Sequence, residues 1–199
     1  EYRWLADSGT PLYGQDGEVT ATWHESESYR FATCDPAGTS ADKAKSSRGH
    51  DHSWSVIQVW ERAPARVGPY LICRHVSRVR VSFTGLIETI RQVSTEWQPS
   101  RIRIENEKLG MAIQELLSNE LPIDTIPTGG KDKVSRASLL LQKMERGEIA
   151  LPREGSWLES LESEWYSWTG HPEEQADQVD AAAYAAIEAQ GKGFGMWDA

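Results

Sequence analysis

The sequence predicts an α/β fold in which a mixed β-sheet carries helices on both faces. Three observations lead there. Three consecutive runs alternate apolar with polar residues, as paired strands do, and beyond them helical spacing and short strands take turns. The 199 residues, 39% hydrophobic and 26% charged, match one ordinary globular domain. The longest apolar stretch, Ala181 to Ile187, is far short of the roughly 18 residues of a membrane span, so a soluble protein is expected.

Residues 1–28 are polar, with Gly9, Pro11, Gly14 and Gly17 and little periodicity, and read as a linker or irregular wrap that Trp4, Tyr13 and Trp23 could pin down. Tyr29 to Asp35 alternates and stops at Pro36-Ala37-Gly38, which places Asp35 at the carboxyl end of a strand. A charged loop, Ser40 to His52, leads to two further β-rich runs, Trp54 to Trp60 and Tyr70 to Val76, separated by Pro64 and Gly68-Pro69. Phe83, Leu86, Ile87, Ile90, Val93 and Trp97 then recur at helical steps, with Ser82 before them and Pro99 after. Arg101 to Glu105 is a short strand ending on a carboxylate, Leu109 to Leu117 a second helix, and Ile123 to Ile126 a fifth strand. A helix from about Lys133 to Arg146, the short run Ile149 to Leu151, a helix from Trp157 to Trp168 and an Ala-rich helix from about Gln175 to Gln190 complete the core. Residues 191–199 read as a flexible tail. The order is β-β-β-α-β-α-β followed by helices. Strand-helix-strand units normally make parallel crossovers, so the three antiparallel strands extend into a mixed sheet, the RNase H-like pattern.

The net charge of −9 argues against a nonspecific polyanion binder. It hides an asymmetry. Arg74 to Arg103 holds six Arg against two Glu, Lys131 to Arg146 five basic residues against two acidic, and Arg153 to Asp180 one Arg against eight carboxylates. Basic flanks beside concentrated carboxylates could hold a phosphate backbone and divalent cations together. From charge alone, solvated helix faces are the simpler account. Two cysteines, Cys34 and Cys73, are too few for a disulfide framework and point to a reducing, intracellular setting. Residue 1 is Glu with no apolar signal behind it, so a piece of a longer polypeptide is expected.

Asp35 and Glu105 end separate strands, where open α/β sheets place their ligand sites. Asp177 and Asp180 form an i, i+3 pair on one face of the last helix, with Tyr184 a further turn along. Taken singly, Asp35 could start a turn, Glu105 cap the next helix and Asp177 decorate a helix N-terminus. Gathered together they would repel unless a hard cation such as Mg²⁺ or Mn²⁺ neutralised them, and two such ions can drive phosphodiester cleavage.

Six segments, in order, carry a resemblance. They are Phe31-Ala32-Thr33-Cys34-Asp35-Pro36-Ala37, Asp51-His52-Ser53-Trp54-Ser55-Val56, Ile104-Glu105-Asn106 with Gly110, Gly130-Lys131-Asp132-Lys133-Val134-Ser135-Arg136-Ala137, Gly147-Glu148-Ile149-Ala150-Leu151-Pro152, and Asp177-Gln178-Val179-Asp180-Ala181. Over residues 29–189 the chain resembles the C-terminal nuclease domain of bacteriophage terminase large subunits. The resemblance implies an RNase H-like nuclease domain over 29–190 that uses two divalent cations, Mg²⁺ or Mn²⁺, to cut concatemeric double-stranded DNA during genome packaging. It makes Asp35 the ligand shared by both ions, Glu105 and Asp177 further ligands, and Asp180 the accessory acid. Lys133 and Arg136 match basic residues that hold DNA phosphate or balance the acids; Lys131 and His171 are further DNA-binding or accessory candidates, and Asp51, from its place in the charged loop, is expected to be a peripheral metal or water contact. The family often has two adjacent Asp where Ala176-Asp177 stands here, with a His just ahead. The nearest His, His171, is separated from Asp177 by five residues. The implied partners are an upstream ATPase domain, the small subunit and the portal ring, in the host cytoplasm.

Other signals fall away. Gly129-Gly130-Lys131 is no phosphate loop, because Thr125 and Asp132 occupy the places of its first Gly and its Ser or Thr. His50-Asp51-His52 has no companions to complete a zinc tetrahedron. No Gly-x-Ser-x-Gly elbow is present, and Cys34 precedes a carboxylate that discourages a thiolate. Trp157, Trp165 and Trp168 read as core. Two alternatives stay open at this point: a cellular RNase H-like nuclease such as a junction resolvase, and a binding module that has lost catalysis.

Overall fold

A computed structural model describes residues 3–5, 11–13, 18–37, 54–126, 132–171, 174 and 176–190. The strands are β1 (Arg3–Leu5), β2 (Pro11–Tyr13), β3 (Val19–Thr22), β4 (Tyr29–Asp35), β5 (Ser55–Arg62), β6 (Leu71–Val79), β7 (Ile102–Glu105), β8 (Ile123–Ile126) and β9 (Ile149–Pro152). The helices are α1 (Phe83–Trp97), α2 (Lys108–Leu117), α3 (Lys133–Glu145), α4 (Leu158–Ser167) and α5 (Asp177–Gln190). Among the described residues these strands form one sheet in the order β3-β2-β1-β9-β6-β5-β4-β7-β8. The expected antiparallel trio is β4, β5 and β6, and β7 and β8 add to it in parallel through α1 and α2.

The stretch that reads as a linker or irregular wrap departs from that expectation. Within residues 1–28, β1 pairs in parallel with β9, and β2 and β3 follow antiparallel. Strands of three or four residues are too short to display a period of two, so backbone pairing supplies what the side-chain pattern does not announce. Trp23 does pin this stretch: its indole Nε1 donates to Glu61 Oε1 at 3.0 Å. The Ser40 to His52 loop and the 191–199 tail lie outside the described residues, apart from which the chain carries helices on both faces of a mixed sheet.

Alternation sorts the sheet into two faces. Ala32, Cys34, Ile57, Val59, Ile102 and Ile104 meet Leu86, Ile87, Ile90 and Val93 of α1 and Ile113 and Leu117 of α2. Phe31, Val56 and Trp60 turn the other way, onto Ala137 and Leu140 of α3, Leu158 and Leu161 of α4, and α5. The α5 contribution is almost all alanine: Ala181, Ala182, Ala183, Ala185 and Ala186 are fully buried. Such small side chains let the helix axis settle close to the sheet. Trp157, Trp165 and Trp168 pack against this core, as expected. The helix caps are local: Ser82 accepts from Gly85 N at the start of α1, and Asp132 from Ser135 N at the start of α3.

Candidate active site

Asp35 closes β4, Glu105 closes β7, and Asp177 and Asp180 occupy the first turn of α5. Cys34 pairs with Ile104 across the parallel β4–β7 ladder, so Asp35 and Glu105 come one residue later on neighbouring strands. Cys34 and Ile104 face α1 and α2, which turns the two acids to the opposite face, under α3 and α5. The chain leaving Asp35 is held by Ser55, whose Oγ accepts from Ala37 N at 3.0 Å. Behind Glu105, α2 comes so near that a Cβ on Gly110 would lie 1.9 Å from the Glu105 carbonyl oxygen. Only glycine fits there.

The electrostatics tie the four acids into one neighbourhood. Burial, then the charges of Asp180, Glu105 and Asp177, push the Asp35 carboxyl well above the usual range, against Arg136. Glu105 is raised by burial and by Glu107 beside it, while the Tyr184 hydroxyl and Arg136 pull it back down. Arg136, from α3, reaches both sides: its Nη2 lies 2.8 Å from Asp180 Oδ1 and its Nη1 3.6 Å from Glu105 Oε1. Lys133, one turn earlier, places Nζ 3.6 Å from Asp180 Oδ2. Both basic residues thus form ion pairs with Asp180, and Arg136 with Glu105 as well. With Arg136 between Glu105 and Asp180, no three His, Cys, Asp or Glu side chains among the described residues converge closely enough to hold an ion as they stand.

Tyr184 is fully buried on α5, two turns into the helix. Burial and the charges of Asp35, Glu105 and Asp180 drive its hydroxyl far up, so it stays protonated and can only donate toward the acids. It lies near enough to Glu105 to stabilise the carboxylate, yet its oxygen has no partner in hydrogen-bond geometry among the described residues. Crowded carboxylates beside a buried, unsatisfied hydroxyl offer the hard oxygen donors that suit Mg²⁺ or Mn²⁺.

Other sequence candidates fall elsewhere. His171 is exposed in the turn before α5, where its backbone N–H donates to Glu174 Oε2 at 3.3 Å. Asp51 and Lys131 lie outside the described residues. In the basic run Arg74 to Arg103, Arg80, Arg91 and Arg101 are exposed and the other three half-buried, and five of the six arginines lie beside carboxylates. Arg74 meets Glu61 at 3.8 Å, Arg78 Glu164 at 3.3 Å, Arg91 Glu120 at 2.9 Å, Arg101 Asp124 at 3.3 Å and Arg103 Glu188 at 2.9 Å. Net charge along a segment counts neighbours in sequence, whereas these partners come from distant elements. Sequence reasoning also passed over Gln58, Gln178 and Glu164, which form a buried polar chain beneath the first turn of α5. The available signal was Gln58, a lone amide in the apolar run Val56-Ile57-Gln58-Val59-Trp60.

Comparisons with known proteins bear on the fold and the family. The large terminase nuclease of thermophilic phage G20c, solved with bound zinc, is 17% identical, with 94% of each chain covered and a TM-score of 0.58. The nuclease domain of the P22 large terminase is 11% identical over 84% of each chain, with a TM-score of 0.57. That of bacteriophage SPP1, solved with bound manganese, is 12% identical over 80% of this chain and 86% of its own, with a TM-score of 0.53. A comparison with curated proteins returns no match. The family model of the terminase RNaseH-like domain matches residues 32–189. With four-fifths of its length so matched, and with acids gathered at the same end of an RNase H-like sheet, the chain belongs to the terminase RNaseH-like domain family.

Proposed function

We propose that this nuclease domain hydrolyses phosphodiester bonds of concatemeric double-stranded DNA during genome packaging, with two divalent cations, Mg²⁺ or Mn²⁺. One observation carries the reading: Asp35 and Glu105 end neighbouring parallel strands on the face covered by α5, and Glu105, Asp177 and Asp180 crowd the Asp35 carboxyl from two other elements. Burying like charges together costs stability, and divalent cations relieve that cost. Asp35, Glu105 and Asp177 would hold the ions, with Asp180 accessory. Bound there, such ions activate a water and stabilise the leaving oxygen.

The remaining residues hold and balance. Arg136 keeps Glu105 and Asp180 in place, and Lys133, about a third exposed with its ammonium beside Asp180, is the cation offered to a DNA phosphate. Tyr184 offers a permanently protonated hydroxyl to the acids. In the same reading the domain works beside a terminase ATPase domain, the small subunit and the portal ring, in the host cytoplasm. No helix among the described residues is long and apolar enough to cross a membrane. The test is plasmid digestion with Mn²⁺, Mg²⁺ and chelator, comparing the parent with Asp35→Asn. Metal-dependent cleavage by the parent and none by the variant is expected. Equal cleavage by both would remove the site.

A further inference from the structure

Glu164 sits on α4, away from the acids, yet its buried carboxylate grips the helix that carries two of them. Oε1 accepts from the backbone N–H of Gln178 at 2.7 Å and of Val179 at 3.3 Å. Oε2 accepts from Gln178 Nε2 at 2.9 Å and faces Arg78 Nη2 at 3.3 Å. The first N–H groups of a helix lack internal partners, and the residue just before the helix normally supplies the acceptor. Here the acceptor comes from another helix, so it fixes where α5 lies as well as where it starts. Gln178 extends the tie: its Nε2 also donates to Ser160 O at 3.1 Å, and its carbonyl accepts from Gln58 Nε2 at 3.0 Å. Gln58 is held in turn, since its Oε1 accepts from Trp60 Nε1 at 3.1 Å. The turn between Asp177 and Asp180 is thereby fastened to α4 and β5 at once.

Stability does not explain this arrangement. Burial outweighs the partners and holds the Glu164 carboxyl above its ordinary range, so enclosing it as a carboxylate costs the fold stability that its partners return only in part. We propose that Glu164 is a positioning residue: by clamping the N-terminus of α5 it holds Asp177 and Asp180 at the depth where they meet Asp35. The inference rests on the reading of those acids as cation ligands. Groups one step behind metal ligands typically change affinity or activity about 10- to 100-fold when removed.

The test compares Glu164→Gln with Glu159→Gln, a charge-matched change at an exposed position of the same helix. Two quantities are read on the full chain: the Mn²⁺ concentration for half-maximal plasmid nicking, and the rise in thermal midpoint on adding Mn²⁺ without DNA. In Glu164→Gln the half-maximal Mn²⁺ concentration is expected to rise about tenfold and the Mn²⁺-induced stabilisation to shrink, with Glu159→Gln like the parent. A residue that only supports the fold would lower the midpoint equally with and without Mn²⁺. Should Glu164→Gln not fold, Gln178→Met keeps the backbone bonds to Glu164, loses the side-chain ties, and is expected to shift both quantities in the same direction by less. Unchanged Mn²⁺ dependence in the folded variant overturns the proposal. Asp35→Asn separates the two readings. If it abolishes nicking while Glu164→Gln matches the parent, the clamp alone fails; if parent and Asp35→Asn nick alike, the reading of the acids fails and takes the clamp with it.

Discussion

Removing Arg136 isolates the central electrostatic claim. Its guanidinium is largely buried and sits 2.8 Å from Asp180 and 3.6 Å from Glu105. At an effective dielectric of about 20, unit charges at those separations attract by about 6 and about 5 kcal/mol, most of which desolvation offsets. Arg136→Met preserves length and apolar volume while leaving the carboxylates uncompensated. Removing one partner of such a pair costs about 3–5 kcal/mol. For a domain of this size that is a fall of about 6–20 °C in thermal midpoint, measured in chelator by calorimetry or circular dichroism. Mn²⁺ should then narrow the gap between variant and parent, because the ion supplies the charge that Arg136 supplied and binds without displacing it. Adding Asp180→Asn to Arg136→Met should restore part of the loss, since one of the stranded charges goes with it. A fall under about 3 °C in chelator, or a gap that Mn²⁺ leaves untouched, would refute the reasoning.

Further outcomes follow from other parts of the molecule. Asp35→Asn, besides abolishing cleavage, should stabilise the metal-free protein by about 0.5–2 kcal/mol by removing a repelled charge, read as a higher midpoint in chelator; a lower one counts against crowding. Gly110→Ala forces a methyl into the Glu105 carbonyl, so a loss of about 1–3 kcal/mol or more is expected together with loss of nicking. Burial holds the His75 ring below its ordinary pKa, so its contribution to stability is present above about pH 6.5 and is lost as pH falls through the depressed value. His75→Gln should therefore soften the drop in midpoint between pH 7.5 and 5, within error of the parent only if the ring is not buried. Cys34 and Cys73 are fully buried with their thiols pushed far up, so a thiol reagent should find neither in the native protein and both after denaturation.

The legible parts of this chain are those whose signals are local. Tyr29–Asp35 and Ile123–Ile126 match the alternation to the residue, and Phe83–Trp97 is bounded by Ser82, whose side chain accepts from Gly85 N. The places of the acids on strand ends and a first helical turn are legible too, because strand ends and an i, i+3 spacing are short-range patterns. What escaped is joint between distant segments. The strands within residues 1–28 take their place from pairing with β9, itself only four residues long. Which acids Arg136 meets shows only once α3 folds over the end of β7, and what Glu164 holds only once α4 lies against α5. Gln58 was the visible hint, an amide in an apolar strand that needs a partner, but nothing near it in the chain says which.

The alanine-lined underside of α5 limits how this domain can diverge. At five wholly enclosed positions the side chain is already a single methyl, so exchange can only remove it, which loosens the helix, or enlarge it, which wedges the helix outward. Either change would move the two aspartates at its tip. A lineage that thickened this seam would have to thin the facing sheet in the same step, so the spacing is inherited as a unit rather than tuned residue by residue.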